Sequence, residues 1–473
     1  MPLALRLVRK LPSTQLTAEA RLLLAADELK RGRSANAIRY LAAGQGEGNL
    51  EFLAPILSAW AAADANDAAG ALAILDRLRT GSLAGGLGAE HRALILLKFR
   101  RPAEAEPFAR RALEGAGARE HRLRLAYIDG FVAGGDQARA TLLAQELGTE
   151  VGAAEARIAA GRRTGLAIDN SAEAFSEMLL SLALDLSRLD NPTLPISLAQ
   201  VARHAAPDNS SAAILLAMML DRRGRTDEAL ALLRGVPAGD ALAPQARDLQ
   251  SRLLTDAKRF DEALRHAHAA ASRREATVSD HARLGDVLSD MKRHGEAVQA
   301  YQRAIELSRT QKVAELWPLY LLKASALESG DRWPEARAAL EQALALAPEQ
   351  PLILNFLGYA KLERGEDLDS AEKMIMKAVA LAPDDASIID SLGWAQFKRG
   401  RVKDAIETLT QAAAKDPSQA EIHEHLGDAL YTAGRRFEAR FAWRAALLTA
   451  EDDIARRVQA KLETGLSPAT AAP

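Results

Sequence analysis

Few residues in this chain have the types and spacing that chemistry requires. His423 and His425 flank Glu424, and His266 and His268 also sit two apart. Side chains at i and i+2 of a helix point to nearly opposite faces, so neither pair is expected to share a metal ion. The glycine cluster at 81–88 (GSLAGGLG) lacks the preceding strand that a dinucleotide-binding turn needs. The dipeptide Gly-Lys never occurs, so there is no phosphate loop of the GxxxxGK[ST] kind, and no HExxH is present. The chain has no cysteine, which excludes disulfides, thiolate nucleophiles and cysteine zinc sites. A Ser/His/Asp set assembled from distant segments stays open at this level. The sequence implies no catalytic residue, no cofactor and no metal, and the expectation is a protein that is not an enzyme.

What remains is the scaffold. Lys and Arg number 61 against 63 Asp and Glu, interspersed, for a net charge of −2. No basic stripe runs along the chain, so nucleic acid is not an expected partner. Hydrophobic residues make up 48% but aromatics only 4%, so Ala and Leu carry the apolar content. Both are strong helix formers, and strand-favouring residues are sparse, which predicts an all-α fold. The opening MPLALRLVRKLPS places Arg6, Arg9 and Lys10 where a signal peptide needs an unbroken apolar core. The longest uncharged apolar run, 212–220, is too short to span a bilayer. The chain as written is expected to be soluble, and cytoplasmic if it is complete.

A period organises the C-terminal third. Gly358, Gly393 and Gly427 each follow a leucine at intervals of 35 and 34 residues. Ala371, Ala405 and Ala439 recur at 34 and 34, and Pro348, Pro383 and Pro417 at 35 and 34. The unit reads as a helical hairpin. Glycine inside the first helix (A) costs ~1 kcal/mol relative to alanine, which makes sense where the next helix crosses too closely for a Cβ. Gly365, Gly400 and Gly434 would end helix A in a left-handed conformation. The alanines would sit at the crossing in the second helix (B), and the prolines would stop helix B. Two turns, Gly330 to Ala336 and Gly365 to Ala371, are one residue longer than the others. Leu-Gly, turn Gly, Ala and Pro in this phase resemble the 34-residue tetratricopeptide repeat (TPR).

Upstream the pattern weakens but persists, through Leu284-Gly285 with Ala297 and Tyr301, Phe260-Asp261-Glu262-Ala263, Asp227-Glu228-Ala229, and Leu182 with Pro195 and Pro207. Four fainter hairpins turn near Gly32, Asn66, Arg101 and Gly134-Gly135. The expectation is a right-handed superhelix of about twelve hairpins. Residues 1–160 form degenerate TPR-like hairpins, 161–171 (through GRRTGLAIDN) an irregular seam, and 172–450 the TPR array, most regular at 351–447. Residues 451–465 form a capping helix, its stripe Ile454, Val458 and Leu462 facing the array, and 466–473 a disordered tail. Ser171 is read as the N-cap after the seam, and Asn209-Ser210-Ser211 as a cap rather than a glycosylation acceptor. Leu3, Leu5, Leu7, Val8 and Leu11 form an apolar edge through which copies could associate.

In a TPR array the A helices line a groove. Counting from the Leu-Gly glycines places Asn355, Tyr359 and Leu362, then Asp390, Trp394 and Phe397, then Glu424, Asp428 and Tyr431 on that surface, with Asp286 and Asp290 one strong unit earlier. Tyr359, Trp394 and Tyr431 make an aromatic track beside three acids, a composition suited to protein partners. Simple packing of Trp394 and Phe397 on the next A helix is the competing reading, and Trp443 in helix B is expected in the core. Replacing Tyr359, Trp394 and Asp428 together is expected to weaken partner binding without lowering stability. The Asn/Lys/Arg set of chaperone-tail receptors is not seen, because Tyr359, Ser391 and Trp394 stand there.

The run Leu354-Asn355-Phe356-Leu357-Gly358-Tyr359, Ile388-Ile389-Asp390-Ser391-Leu392-Gly393-Trp394, Ile422-His423-Glu424-His425-Leu426-Gly427-Asp428 and Glu438-Ala439-Arg440-Phe441-Ala442-Trp443 is similar to proteobacterial envelope TPR proteins, often lipoproteins. The resemblance implies an adaptor that brings substrates to a carboxyl-terminal processing protease in the periplasm or envelope. Two other functions stand beside that adaptor, a cytosolic regulatory TPR protein and an enzyme with its site at 161–171.

Overall fold

The computed structural model describes residues 2–42, 51–79, 83–147, 151–164, 166, 168–187, 193–274, 276–311, 315–467 and 472. Among these residues all regular structure is helical. Gly81 of the glycine cluster, Gly165 and Ala167 of the seam, and most of the tail after Ser467 lie outside them.

The chain forms two compact units, Met1–Glu315 and Leu316–Pro473. The first opens with α1 (Pro2–Val8), followed by four hairpins: α2 (Ala18–Lys30) with α3 (Ser34–Ala42), α4 (Ala54–Asp64) with α5 (Ala68–Asp76), α6 (Leu83–Lys98) with α7 (Pro102–Glu114), and α8 (Glu120–Ala133) with α9 (Gln137–Ala144). A single helix, α10 (Val151–Ala159), leads into 161–170. Four more hairpins follow: α11 (Ser171–Leu186) with α12 (Thr193–Ala205), α13 (Ser210–Asp221) with α14 (Thr226–Arg234), α15 (Ala243–Asp256) with α16 (Phe260–Ala271), and α17 (Val278–Asp290) with α18 (His294–Gln311). The second unit holds α19 (Trp317–Ser329) with α20 (Trp333–Leu346), α21 (Pro351–Glu363) with α22 (Leu368–Leu381), α23 (Ala386–Lys398) with α24 (Val402–Lys415), α25 (Ala420–Thr432) with α26 (Arg436–Ala446), and α27 (Asp452–Thr464). Among the described residues the expected dozen hairpins are present, and the described residues of 161–171 lie inside the first unit.

One hairpin shows why the residues fold so. Asp385 caps α23 by accepting from the amides of Ser387 and Ile388 at 3.0 and 3.1 Å, which satisfies donors the helix leaves open. The helix ends at Gly400, whose φ of +76° suits a residue without a Cβ. Ala405, Leu409 and Ala412 then form the buried stripe of α24. Leu409 comes so near α23 that a Cβ on Gly393 would stand 2.6 Å from its Cγ. At Gly358 the neighbour is backbone, since a Cβ there would meet the carbonyl oxygen of Ala371 at 2.8 Å. Gly358 and Gly393 thus mark close crossings, as their cost predicts.

The turn chemistry corrects two details. At the turn before Ala336 the left-handed residue is Asp331 (φ +58°), not Gly330, so that turn carries no extra residue. The extra residue before Ala371 is real, and Asp367 absorbs it by also turning left-handed at φ +42°. The cap after the seam is likewise Asn170, which accepts from the amides of Ala172 and Glu173, rather than Ser171. At the N-terminus Leu5 is buried and Val8 packs on the first core, while Leu3, Leu7 and Leu11 stay exposed.

Candidate functional site

In the second unit the residues assigned to the A-helix surface share three positions relative to their glycine. Three residues before it stand Asn355, Asp390 and Glu424; one after it, Tyr359, Trp394 and Asp428; four after it, Leu362, Phe397 and Tyr431. The structure divides them sharply. Tyr359, Phe397, Tyr431 and Asn355 are half-buried, whereas Asp390, Trp394, Glu424 and Asp428 are buried and bonded between repeats.

Trp394 lies between Phe397 and His425, with ring centroids 4.9 and 4.1 Å away, and its Nε1–H donates to Glu363 Oε1 at 3.0 Å. Asp390 accepts from Nδ1 of His425 at 2.9 Å. Burial pulls the His425 imidazole toward neutrality, but the Asp390 carboxylate, with Glu421 and Asp428, holds its pKa above the ordinary value. Glu424 receives Arg457 through Nε and Nη2 at 3.1 and 2.8 Å and Lys461 Nζ at 2.7 Å. Asp428 accepts from Lys461 Nζ at 2.7 Å, Trp443 Nε1 at 2.9 Å and the backbone amide of Ala472 at 3.1 Å. Burial raises the Asp428 pKa despite Lys461, whereas in Glu424 two cations outweigh burial and lower it.

These pairs revise the expected consequence of mutation. Trp394 and Asp428 hold neighbouring elements together, so replacing them with Tyr359 costs stability as well as surface. The stripe of α27 is also not purely apolar: Lys461 lies on the same face as Val458 and Leu462 and is fully buried. Asp286 and Asp290 belong to the first unit. There Asp286 accepts from the Tyr301 hydroxyl at 2.7 Å and pairs with Arg283, while Asp290 is exposed. Burial raises the pKa of Asp286, and partial desolvation together with the nearby Asp256 raises that of Asp290.

The first unit contains a clamp that sequence reading missed. Thr164, Leu166 and Ile168 are buried. Asp129 of α8, itself 1% exposed, grips this segment: one carboxylate oxygen takes the amide and, at 2.7 Å, the hydroxyl of Thr164, and the other takes the Leu166 amide at 2.7 Å. Asp64 of α4 accepts from the amide of Ser171 at 2.9 Å and from its hydroxyl. Lys98 donates to the Asp169 carbonyl at 2.5 Å, and Arg157 Nε to the Arg163 carbonyl at 2.6 Å. A cavity of about 920 Å³ adjoins the segment, lined among others by Asp64, Asp129 and Asp240. Those carboxylates are engaged as acceptors, with Asp240 taking the Ser210 hydroxyl and the Leu242 amide. The arrangement grips backbone.

A family profile described as the C-terminal HAT repeat of the pre-mRNA-splicing factors Syf1/CRNKL1 matches residues 274–389, and a TPR repeat profile matches 393–434. No curated protein matches the sequence. Among solved structures, the chain is similar to the APC/C hetero-tetramer Cut9-Hcn1 at 15% identity, covering 98% of this chain and 92% of that one with a TM-score of 0.41. It is similar to yeast Tom70 at 12% identity, covering 89% and 96%, with a TM-score of 0.45. A tetratricopeptide repeat protein from Parabacteroides merdae is 13% identical, covering 55% and 99%, with a TM-score of 0.44. With the hairpins, the glycine crossings and the matched repeat together, the described residues of each unit form an all-helical stack of TPR-type hairpins.

Proposed function

We propose that the protein is a scaffold that holds extended segments of other polypeptides against its A helices, with carboxylates accepting backbone amides and half-buried aromatics providing apolar surface. One observation carries the reading. Asp129 already accepts the backbone amides of Thr164 and Leu166, so the array has the chemistry to recognise a polypeptide by its main chain. Two in-register donors on one buried carboxylate make a charge-assisted contact, stronger than neutral hydrogen bonds. In the second unit Tyr359, Phe397 and Tyr431 offer the half-buried aromatic surface that protein interfaces favour. The matched TPR repeat supports the same class of partner.

The finer reading is an adaptor that delivers substrates to an envelope protease. It rests on the resemblance of 350–447, with a cytosolic regulatory scaffold as the alternative. The general proposal is tested by selecting random ten-residue peptides displayed on phage against the intact chain. Enriched peptides should lose at least tenfold in capture on a Tyr359→Ala, Phe397→Ala chain whose melting temperature is retained. No enrichment, or enrichment indifferent to that pair, overturns the scaffold reading.

A further inference from the structure

We infer that a cavity in the first unit, between α14, α15 and α16, takes an acidic side chain of a guest polypeptide together with its apolar neighbour. The site shares no residue with the surface assigned above and stands independently of it.

The cavity holds about 490 Å³. Leu230, Leu233 and Leu254, all buried, supply its apolar wall. Its charge is one-sided, because Arg234, Arg247, Arg265 and Arg273 line it against one acid among the described residues, Glu262. Glu262 accepts from Nε and Nη2 of Arg259 at 2.8 and 2.9 Å, and Arg247 donates to the Asp280 carboxylate at 3.2 and 3.1 Å. Arg234, Arg265 and Arg273 are exposed and form no ion pair among the described residues. In a chain with 61 basic and 63 acidic residues, three such guanidiniums around an apolar hollow are a local excess. A guanidinium matches a carboxylate with two parallel N–H donors.

Gln250 is a second, independent sign. Thirteen residues before the helix B alanines Ala297, Ala405 and Ala439 stand Leu284, Leu392 and Leu426, whereas thirteen before Ala263 stands Gln250. A leucine position thus holds an amide, 7% exposed, that lines the cavity and makes no hydrogen bond among the described residues. A buried polar group without a partner carries a desolvation cost that leucine avoids, so packing alone gives no reason for glutamine there. Its NH2 can donate to an incoming carboxylate or carbonyl oxygen. The exposure of Arg234, Arg265 and Arg273 leaves the hollow open to solvent. Small free ligands are held in sites that bury roughly 70–90% of their surface. A side chain carried in on a docked polypeptide needs no such enclosure, which favours glutamate or aspartate beside a leucine-sized residue.

The probe is a fluorescent decapeptide of alternating leucine and glutamate, with the leucine–glutamine decapeptide as its neutral twin, followed by anisotropy on the intact chain. The acidic peptide should bind at least tenfold more tightly. Arg234→Glu with Arg265→Glu should weaken it at least tenfold at retained melting temperature. Arg6→Glu with Arg444→Glu, an equal change of charge at other exposed residues, should alter it less than twofold. Gln250→Leu should weaken it at least threefold while the melting temperature holds or rises, because it restores the leucine of the other hairpins. Equal behaviour of the twin peptides, including no binding of either, overturns the site, as does equal loss from the two charge-reversed chains. A lower melting temperature for Gln250→Leu shows that the amide serves the fold and overturns its role. Hexanoate that displaces the acidic peptide at micromolar concentration assigns the hollow to a free carboxylate and overturns the polypeptide reading. The Tyr359→Ala, Phe397→Ala chain should bind the acidic peptide undiminished. A tenfold loss there places the peptide on the second unit's surface and overturns the cavity, leaving the scaffold proposal standing.

Discussion

Lys461 Nζ and Glu424 Oε1 are 2.7 Å apart, and neither side chain has any exposed surface. The pair ties α27 to α25, and Lys461 reaches Asp428 at the same distance. Removing one partner of a buried pair leaves an uncompensated charge, at a cost of roughly 3–5 kcal/mol. Lys461→Met should therefore destabilise the second unit by about 3 kcal/mol or more in denaturant melts. A loss below ~1 kcal/mol would show that the pair contributes little.

Two buried histidines, one in each unit, should respond to pH with opposite sign. In the first, burial and the nearby Arg119 depress His91 to about 3, and the neutral ring accepts Trp60 Nε1–H at 3.0 Å. A depressed folded pKa means the unfolded chain takes up the proton first. The His91 contribution is thus complete above pH ~6.5 and falls by about 1.4 kcal/mol per unit below it, until about pH 3. Melts followed by Trp60 fluorescence at pH 6.5 and 5, compared with His91→Gln, should show a loss about 2 kcal/mol larger when His91 is present.

His425 behaves the other way. Its folded pKa is raised, so its stabilisation is fully present below its unfolded value and disappears as pH rises through the folded one. The stability difference between the unaltered chain and His425→Gln should shrink as pH climbs above 7. A difference that grows with pH would refute the assigned role of Asp390.

Identical Gly→Ala changes should differ in sign. At Gly358 the added Cβ meets a backbone carbonyl that cannot rotate away, and overpacking of this kind typically costs 1–3 kcal/mol. Gly86, inside α6, has open space around it, and alanine there should stabilise by about 0.5–1 kcal/mol through helix propensity. Melting both variants checks the assignment of close crossings.

Asp129→Ala should release the segment it grips, leaving the Thr164 and Leu166 amides without their acceptor at roughly 1–3 kcal/mol each. Trypsin cleavage after Arg162 and Arg163 should accelerate at least tenfold. An unchanged rate would mean that Leu166 and Ile168 hold the segment by burial alone.

Much of the array was legible in the sequence because each hairpin repeats a local problem. A helix that must pass close to its neighbour needs glycine at 358, 393 and 427, and a turn that must reverse left-handed favours glycine at 365, 400 and 434. Even the faint hairpins show left-handed residues at Gly32, Asn66, Arg100 and Gly135. An overlooked signal was the Arg-x-x-Glu pair opening helix B, as in Arg101–Glu104, Arg259–Glu262 and Arg435–Glu438.

The amino-acid pattern alone determined the all-helical hairpin array, because helical period and turn geometry act over a few residues. Only the tertiary structure decided that Asp390 and Glu424 answer His425 and Lys461, that Asp129 grips the Thr164 amide 35 residues onward, and that Ala472 returns to Asp428. Hydrogen bonds and ion pairs between such distant residues depend on how the hairpins stack, and no local periodicity encodes which carboxylate will be left to meet which donor.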